Sequence, residues 1–162
     1  MKSSIISDTS SLIILTKLDR LALLETLFDH IIIPKRVERE LQAKEDGVHQ
    51  QIINNALFEV VECKDTRLLN LLDDILDDGE AEALVLAKER QMILLIDEKK
   101  GRKTAKDMGI RIIGFLGVLI LNYRQNRLDV NEIEDILLQA DKLNFRLSKK
   151  LKQDFLNKIN KA

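Results

Sequence analysis

Short apolar runs alternate with stretches of helical periodicity along this chain. The apolar runs predict five strands, at residues 5–6, 31–33, 58–61, 92–96 and 110–113. Apolar positions spaced three or four residues apart predict helices at residues 10–18, 21–28, 34–43, 49–56, 66–72, 80–90, 99–108, 115–125, 130–140 and 148–159. Because the strands are almost wholly apolar and alternate with helices, the pattern indicates a parallel sheet covered on both faces.

The predicted fold class is therefore α/β, with a central parallel sheet of about five strands. No strand is predicted after residue 126, so the end of the chain is expected to be a helical tail. The length of 162 residues and the absence of a Pro-, Gly- or Ser-rich linker favour one domain. We expect residues 1–126 to form the α/β domain and residues 127–162 to be its helical extension.

Composition changes this picture mainly through the distribution of charge. Hydrophobic residues make up 45% and charged residues 33%, which is typical of a folded globular chain, and the net charge is -1. Locally the balance is uneven, because acids crowd residues 73–82 and five bases follow Asp97: Lys99, Lys100, Arg102, Lys103 and Lys106. Solvated helix faces explain most such runs. The alternative is that the bases flank an acidic centre and hold a polyanion.

Several classes of site are excluded or disfavoured by the residues present. A single cysteine cannot form an intramolecular disulfide, and with only two histidines it cannot build a Cys/His zinc site. No glycine-rich nucleotide-binding motif occurs, and no apolar stretch is long enough to span a membrane. Without a recognisable secretory signal, we expect a protein of the cytoplasm.

Four acids lie where the chain switches pattern. Asp8 and Asp97 follow apolar strands, Glu40 lies in the helix after Pro34, and Glu80 opens a helix. The carboxyl ends of parallel strands share one edge of a sheet, where open α/β folds place ligand sites. Carboxylates crowded there repel one another unless protons or a hard divalent cation intervene. A second interpretation stays open, in which each acid only caps a helix or complements its dipole.

Four sequence blocks around these acids resemble the PIN-domain family, in a branch akin to VapC toxins. The blocks are residues 6–13 (ISDTSSLI), 33–41 (IPKRVEREL), 79–87 (GEAEALVLA) and 94–102 (LLIDEKKGR). The resemblance covers about residues 3–125 and rests on the order and spacing of the blocks. It departs from the commoner pattern at the third acid, which is usually aspartate and here is glutamate.

The resemblance implies a PIN-like three-layer α/β/α fold and a metal-dependent ribonuclease. It implies that Mg²⁺ or Mn²⁺ is held by Asp8 and Asp97, with Glu40 and Glu80 completing the site directly or through water. Glu82 is an alternative to Glu80, and Glu98 is an alternative to Asp97. Thr9 or Ser10 is expected to orient Asp8 by a hydrogen bond.

The expected partners follow from the same resemblance. RNA is the expected substrate, with Lys99, Lys100, Arg102 and Lys103 holding its backbone. VapC-like proteins also imply a small antitoxin and a homodimer, and no membrane is expected. Two alternatives remain: a PIN-like module that has lost catalysis and binds RNA or protein, and an unrelated α/β protein whose acids are helix caps.

Overall fold

A five-stranded sheet forms the centre of the computed structural model, which describes residues 3–145 and 147–161. Its strands are β1 (Ser3–Ser7), β2 (Phe28–Pro34), β3 (Phe58–Val61), β4 (Ile93–Leu95) and β5 (Ile112–Ile113). All four strand pairings are parallel, and the strand order is β3-β2-β1-β4-β5. The predicted parallel sheet of five strands is confirmed.

Ten helices connect and cover these strands in the described part of the chain. They are α1 (Thr9–Lys17), α2 (Ala22–Glu25), α3 (Lys35–Lys44), α4 (Val48–Ile53), α5 (Thr66–Asp73), α6 (Asp78–Arg90), α7 (Lys99–Asp107), α8 (Phe115–Arg124), α9 (Val130–Lys142) and α10 (Lys149–Lys161). Each predicted helix has a counterpart here.

One predicted helix is much shorter than its pattern indicated. The leucine spacing predicted a helix over residues 21–28, but α2 ends at Glu25 and β2 already begins at Phe28. The register explains the difference, because Phe28 pairs with Ser3 and His30 with Ser4 in the sheet. Pairing with β1 therefore overrides the local helical periodicity.

The sheet separates two aliphatic cores, which confirms the three-layer α/β/α arrangement. Alternate residues of a strand point to opposite faces, so Ile5 lies in one core and its neighbour Ile6 in the other. Both are fully buried. The first core also contains residues of α1, α8, α9 and α10, and the second contains residues of α5, α6 and α7.

The C-terminal helices belong to the first core. On α10, Phe155 is 3% exposed and Ile159 is 2% exposed. The ring of Phe145, between α9 and α10, packs against Phe115 at the start of α8, with 5.1 Å between ring centroids. The segment after α8 is therefore packed onto the α/β domain.

The chain changes direction across the sheet at β1. After β1 it builds β2 and β3 on one side, and then crosses to β4 and β5 on the other side. Such a switch point opens a crevice at the carboxyl ends of the two central strands. Here the crevice lies between the ends of β1 and β4, where the backbone N–H of Asp8 donates to the carbonyl of Leu95 at 3.0 Å.

Candidate active site

Asp8 stands at the switch point and is 2% exposed. It is the N-cap of α1, because its Oδ1 accepts from the backbone N–H of Ser11 at 3.4 Å, and Ser10 Oγ lies 3.4 Å from its Oδ2. Burial, followed by repulsion from Asp97, raises the pKa of Asp8 to about 7, although the serine contacts oppose the rise. The capping role and a charged site are therefore combined in one side chain.

Asp97 lies directly beyond the end of β4 and faces Asp8. Its Oδ2 accepts from Ser11 Oγ at 2.5 Å, and its Oδ1 accepts from the backbone N–H of Phe115 at 2.9 Å. Burial raises the pKa of Asp97, while these two hydrogen bonds and the positive charge of Arg102 work against the rise. Ser11 thus contacts both acids, through its backbone and its hydroxyl.

Glu40 reaches the site from α3 and is held on two sides. Thr9 Oγ1, at the first residue of α1, donates to Glu40 Oε2 at 2.7 Å. Oε1 lies so close to the backbone of Gly79 that a β-carbon there would overlap it. Of the two hydroxyls expected to orient Asp8, only that of Ser10 contacts it, since the hydroxyl of Thr9 binds Glu40.

Glu80 lies in the first turn of α6 and is 8% exposed. Burial, followed by contacts with Asp77 and Glu98, raises the pKa of Glu80 to about 9. Its Oε2 is buried and has no hydrogen-bond partner among the described residues. A β-carbon added to Gly101 would lie 2.5 Å from that oxygen. Glu80 is therefore a carboxyl group that is either protonated or able to bind a cation, and one of its oxygens has no hydrogen bond within the described part of the chain.

The two alternative acids have other contacts. Both oxygens of Glu82, which is 2% exposed, accept backbone N–H groups: those of Arg36 at 2.8 Å and Cys63 at 3.1 Å. These groups lie just beyond the ends of β2 and β3. Residues two apart on a helix point in different directions, so Glu82 has surroundings different from those of Glu80. Glu98 caps α7 by accepting from the N–H of Gly101 at 2.8 Å, and that bond lowers the pKa of Glu98.

The acids are thus arranged in three groups. Asp8 and Asp97 form one group through Ser11, Glu40 is held by Thr9, and Glu80 lies beside Asp77 and Glu98. In residues 3–145 and 147–161, no three His, Cys, Asp or Glu side chains are placed so that they could hold a metal ion. The expected convergence of four acids on one ion is therefore not seen in this arrangement.

The donors nevertheless fit a magnesium-type ion. Magnesium needs only one or two direct carboxylates and keeps several waters. Asp8 and Asp97 supply two carboxylates whose repulsion a cation would relieve. The unsatisfied Oε2 of Glu80 is a further oxygen donor.

A groove of about 1300 Å³ opens beside Asp97. Its lining includes the predicted bases of α7, namely Lys99, Lys100, Arg102 and Lys103. Arg102 differs from the three exposed lysines, because its Nη1 donates to the carbonyl of Ile96 at 2.9 Å. A β-carbon on Gly114 would lie 2.5 Å from Arg102 Nη1 and 2.9 Å from Asp97 Oδ1.

The sequence reasoning missed the residues that hold these acids. Ser11 lies one helical turn after Asp8, and the run Asp8-Thr9-Ser10-Ser11 was a usable signal because an N-cap accepts from the residue three positions on. The glycines at 79, 101 and 114 gave no such signal. Their role depends on contacts between distant segments.

The fold and the site define a class of protein: a three-layer α/β protein with buried acids at its topological switch point. A family model described as a PIN domain matches residues 4–161. The chain therefore belongs to the PIN-domain family, whose members are generally nucleases. No curated protein matches it significantly. No helix within the described residues is long and apolar enough to cross a membrane.

Proposed function

We propose that this chain is a metal-dependent ribonuclease that hydrolyses RNA phosphodiester bonds. The observation that carries the proposal is the Asp8–Asp97 pair, two mutually repelling carboxyl groups at the switch point of a PIN-family sheet. A pair of buried acids with no bound ion would destabilise the fold, and nothing would offset their repulsion. A pair that binds a divalent cation gains its stability when the ion is present.

In this proposal Asp8 and Asp97 hold Mg²⁺ or Mn²⁺. When bound, such an ion lowers the pKa of a coordinated water and neutralises charge on a phosphate. Ser11 keeps both acids in place, through the hydrogen bonds described above. Glu40 and Glu80 act on the ion through water, or they orient the attacking water.

Glu80 is preferred to Glu82 and Asp97 to Glu98 on the basis of their contacts. Both oxygens of Glu82 accept backbone N–H groups, whereas one oxygen of Glu80 is unsatisfied. Glu98 serves as a helix cap and contacts Glu80, which gives it a supporting role. The exposed lysines Lys99, Lys100 and Lys103 are proposed to hold the RNA backbone.

A toxin paired with a small antitoxin, working as a cytoplasmic homodimer, is the biological setting that we propose from the family resemblance. The second candidate function is a PIN-like module that binds RNA or protein without cutting. That candidate is favoured by one observation, the lack of a three-acid metal group in the described residues.

Cleavage of a fluorescent single-stranded RNA tests the first function. We expect the wild-type chain to cut it with Mg²⁺ or Mn²⁺ and not with EDTA, and we expect Asp8→Asn to abolish cutting. Glu134→Gln is the matched control, since it removes one carboxylate from an exposed position of α9. Equal cutting by the wild type and Asp8→Asn would show that the activity is a contaminant or uses another site.

Metal-induced stabilisation separates the two candidates. The wild-type Tm should rise with Mn²⁺, and the rise should be lost in Asp8→Asn and Asp97→Asn but kept in Glu134→Gln. RNA binding without a metal-dependent change in Tm or any cutting would favour the binding module.

A further inference from the structure

The groove beside Asp97 has two walls that come from distant parts of the chain. One wall is α7, with its row of bases. The other is α10, which contributes Leu151, Asp154, Phe155 and Lys158. Its floor is apolar and is formed by β5 and α8, with Ile112, Ile113, Leu116 and Ile120.

The α10 wall is fixed to the domain. Phe155 and Ile159 are buried in the same core as α1 and α8. An ion pair between Lys152 and Asp141 ties α10 to α9. Because its buried face anchors α10 to the core, the exposed Lys158 is held on the wall of the groove.

The groove continues past the sheet edge. A second cavity of about 1160 Å³ shares Ile112, Ile113 and Lys158 with the first and is lined by Arg111 and Arg124. Since β5 is the last strand of the sheet, the two cavities follow its free edge. Lys158 lies where they meet.

The charge along this path suits a polyanion. In the first cavity six bases face four acids, and two of those acids, Asp97 and Glu98, belong to the site. In the second cavity three bases occur and no acid is among its described lining residues. The large aromatic rings of the lining are those of Phe145, Phe155 and Phe28, so stacking platforms are scarce. Contacts with the phosphate backbone would therefore dominate binding.

We propose that α10 is the second wall of the RNA-binding groove and that Lys158 contacts the RNA backbone. The bound strand runs from Asp97 over the free edge of β5 toward Arg111 and Arg124. This inference rests on the proposed function for the identity of its polyanion. It assigns RNA binding to the C-terminal helix α10, which contributes none of the acids of the site.

The salt dependence of RNA binding tests this proposal. The full-length chain in EDTA is titrated with fluorescent single-stranded RNA at several salt concentrations. Lys158→Gln should weaken binding and reduce the slope of log K against log salt by roughly 0.7, the value for one lost phosphate contact with a single strand. Lys150→Gln is the matched control, because Lys150 is exposed on the same helix and lines neither cavity.

Equal slopes for Lys158→Gln, Lys150→Gln and the wild type would overturn the proposal and would favour a protein partner in the groove. Cleavage with Mg²⁺ is measured separately on the same three proteins. Metal-dependent cleavage with no effect of Lys158→Gln on binding would leave the ribonuclease standing and reject the groove. RNA binding that depends on Lys158, without cleavage, would support the groove and reject the ribonuclease.

Discussion

The ionisation of Asp8 is expected to contribute to the pH dependence of the stability of the metal-free protein. The pKa of Asp8 is raised from 3.8 to about 7, first by burial and then by Asp97. A carboxyl group with a raised pKa in the folded state stabilises the fold while it is protonated. That contribution is fully present below pH 3.8 and is lost as the pH rises through about 7.

The size of the effect follows from the shift. Each pKa unit corresponds to about 1.36 kcal/mol, so the whole shift of Asp8 is worth at most about 4 kcal/mol. Of this, roughly 2.5 kcal/mol is lost between pH 5 and pH 8. Glu80, with a pKa raised from 4.5 to about 9, keeps its proton in the folded protein across that window while the unfolded chain ionises, so it adds a loss of the same sign. Asp97 adds a dependence of the same sign, because burial raises its pKa as well.

Urea denaturation in EDTA at several pH values between 5 and 8 measures this loss. Asp8→Asn should be more stable than the wild type at pH 8 and should show a clearly flatter dependence on pH. Glu134→Gln, which removes an exposed acid, should retain the wild-type dependence. Identical pH dependence in Asp8→Asn and the wild type would refute the conclusion that burial and repulsion at Asp8 contribute to it.

Three further substitutions have expected outcomes. Glu82→Gln should lower the free energy of unfolding by about 1–3 kcal/mol, because an amide N–H₂ would face one of two backbone N–H groups; equal urea midpoints would contradict this. Gly101→Ala should reduce RNA cleavage, since its β-carbon would displace Glu80, and should lower stability, since it would also overlap Cδ1 of the buried Ile96; a kcat equal to that of the wild type would count against it. Phe155→Ala should cost about 3–5 kcal/mol in urea unfolding, and a loss below about 1 kcal/mol would show that α10 is not anchored.

The fold was predictable because its signals are local. The run at residues 31–33 is β-branched and ends at Pro34, so the strand and the following helix could both be placed from sequence. The start of β2 at Phe28 could not, because it depends on pairing with β1. Pro34 itself ends the strand at the N-cap position, so the helix begins at Lys35, one residue after its predicted start.

The site was only partly predictable, because some of its contacts join segments that are distant in sequence. Asp8 and Asp97 were found because each follows a buried strand, and parallel strands align their ends. Thr9 or Ser10 was expected to contact Asp8, and the hydroxyl of Ser10 does so. The hydroxyl of Thr9 contacts Glu40 instead, because α3 packs against α1. The lack of a three-acid group in the described part of the chain depends on side-chain directions, which spacing along the chain does not determine.

The Asp8–Asp97 pair also has a consequence for synthesis of the chain. Asp8 is made early, but its partner lies 89 residues later and accepts a hydrogen bond from the N–H of Phe115. Until β4 docks beside β1 and α8 begins, a growing chain has the first acid but no pair. Because contacts so distant in sequence form late, the pair is assembled only after more than half of the chain has been made.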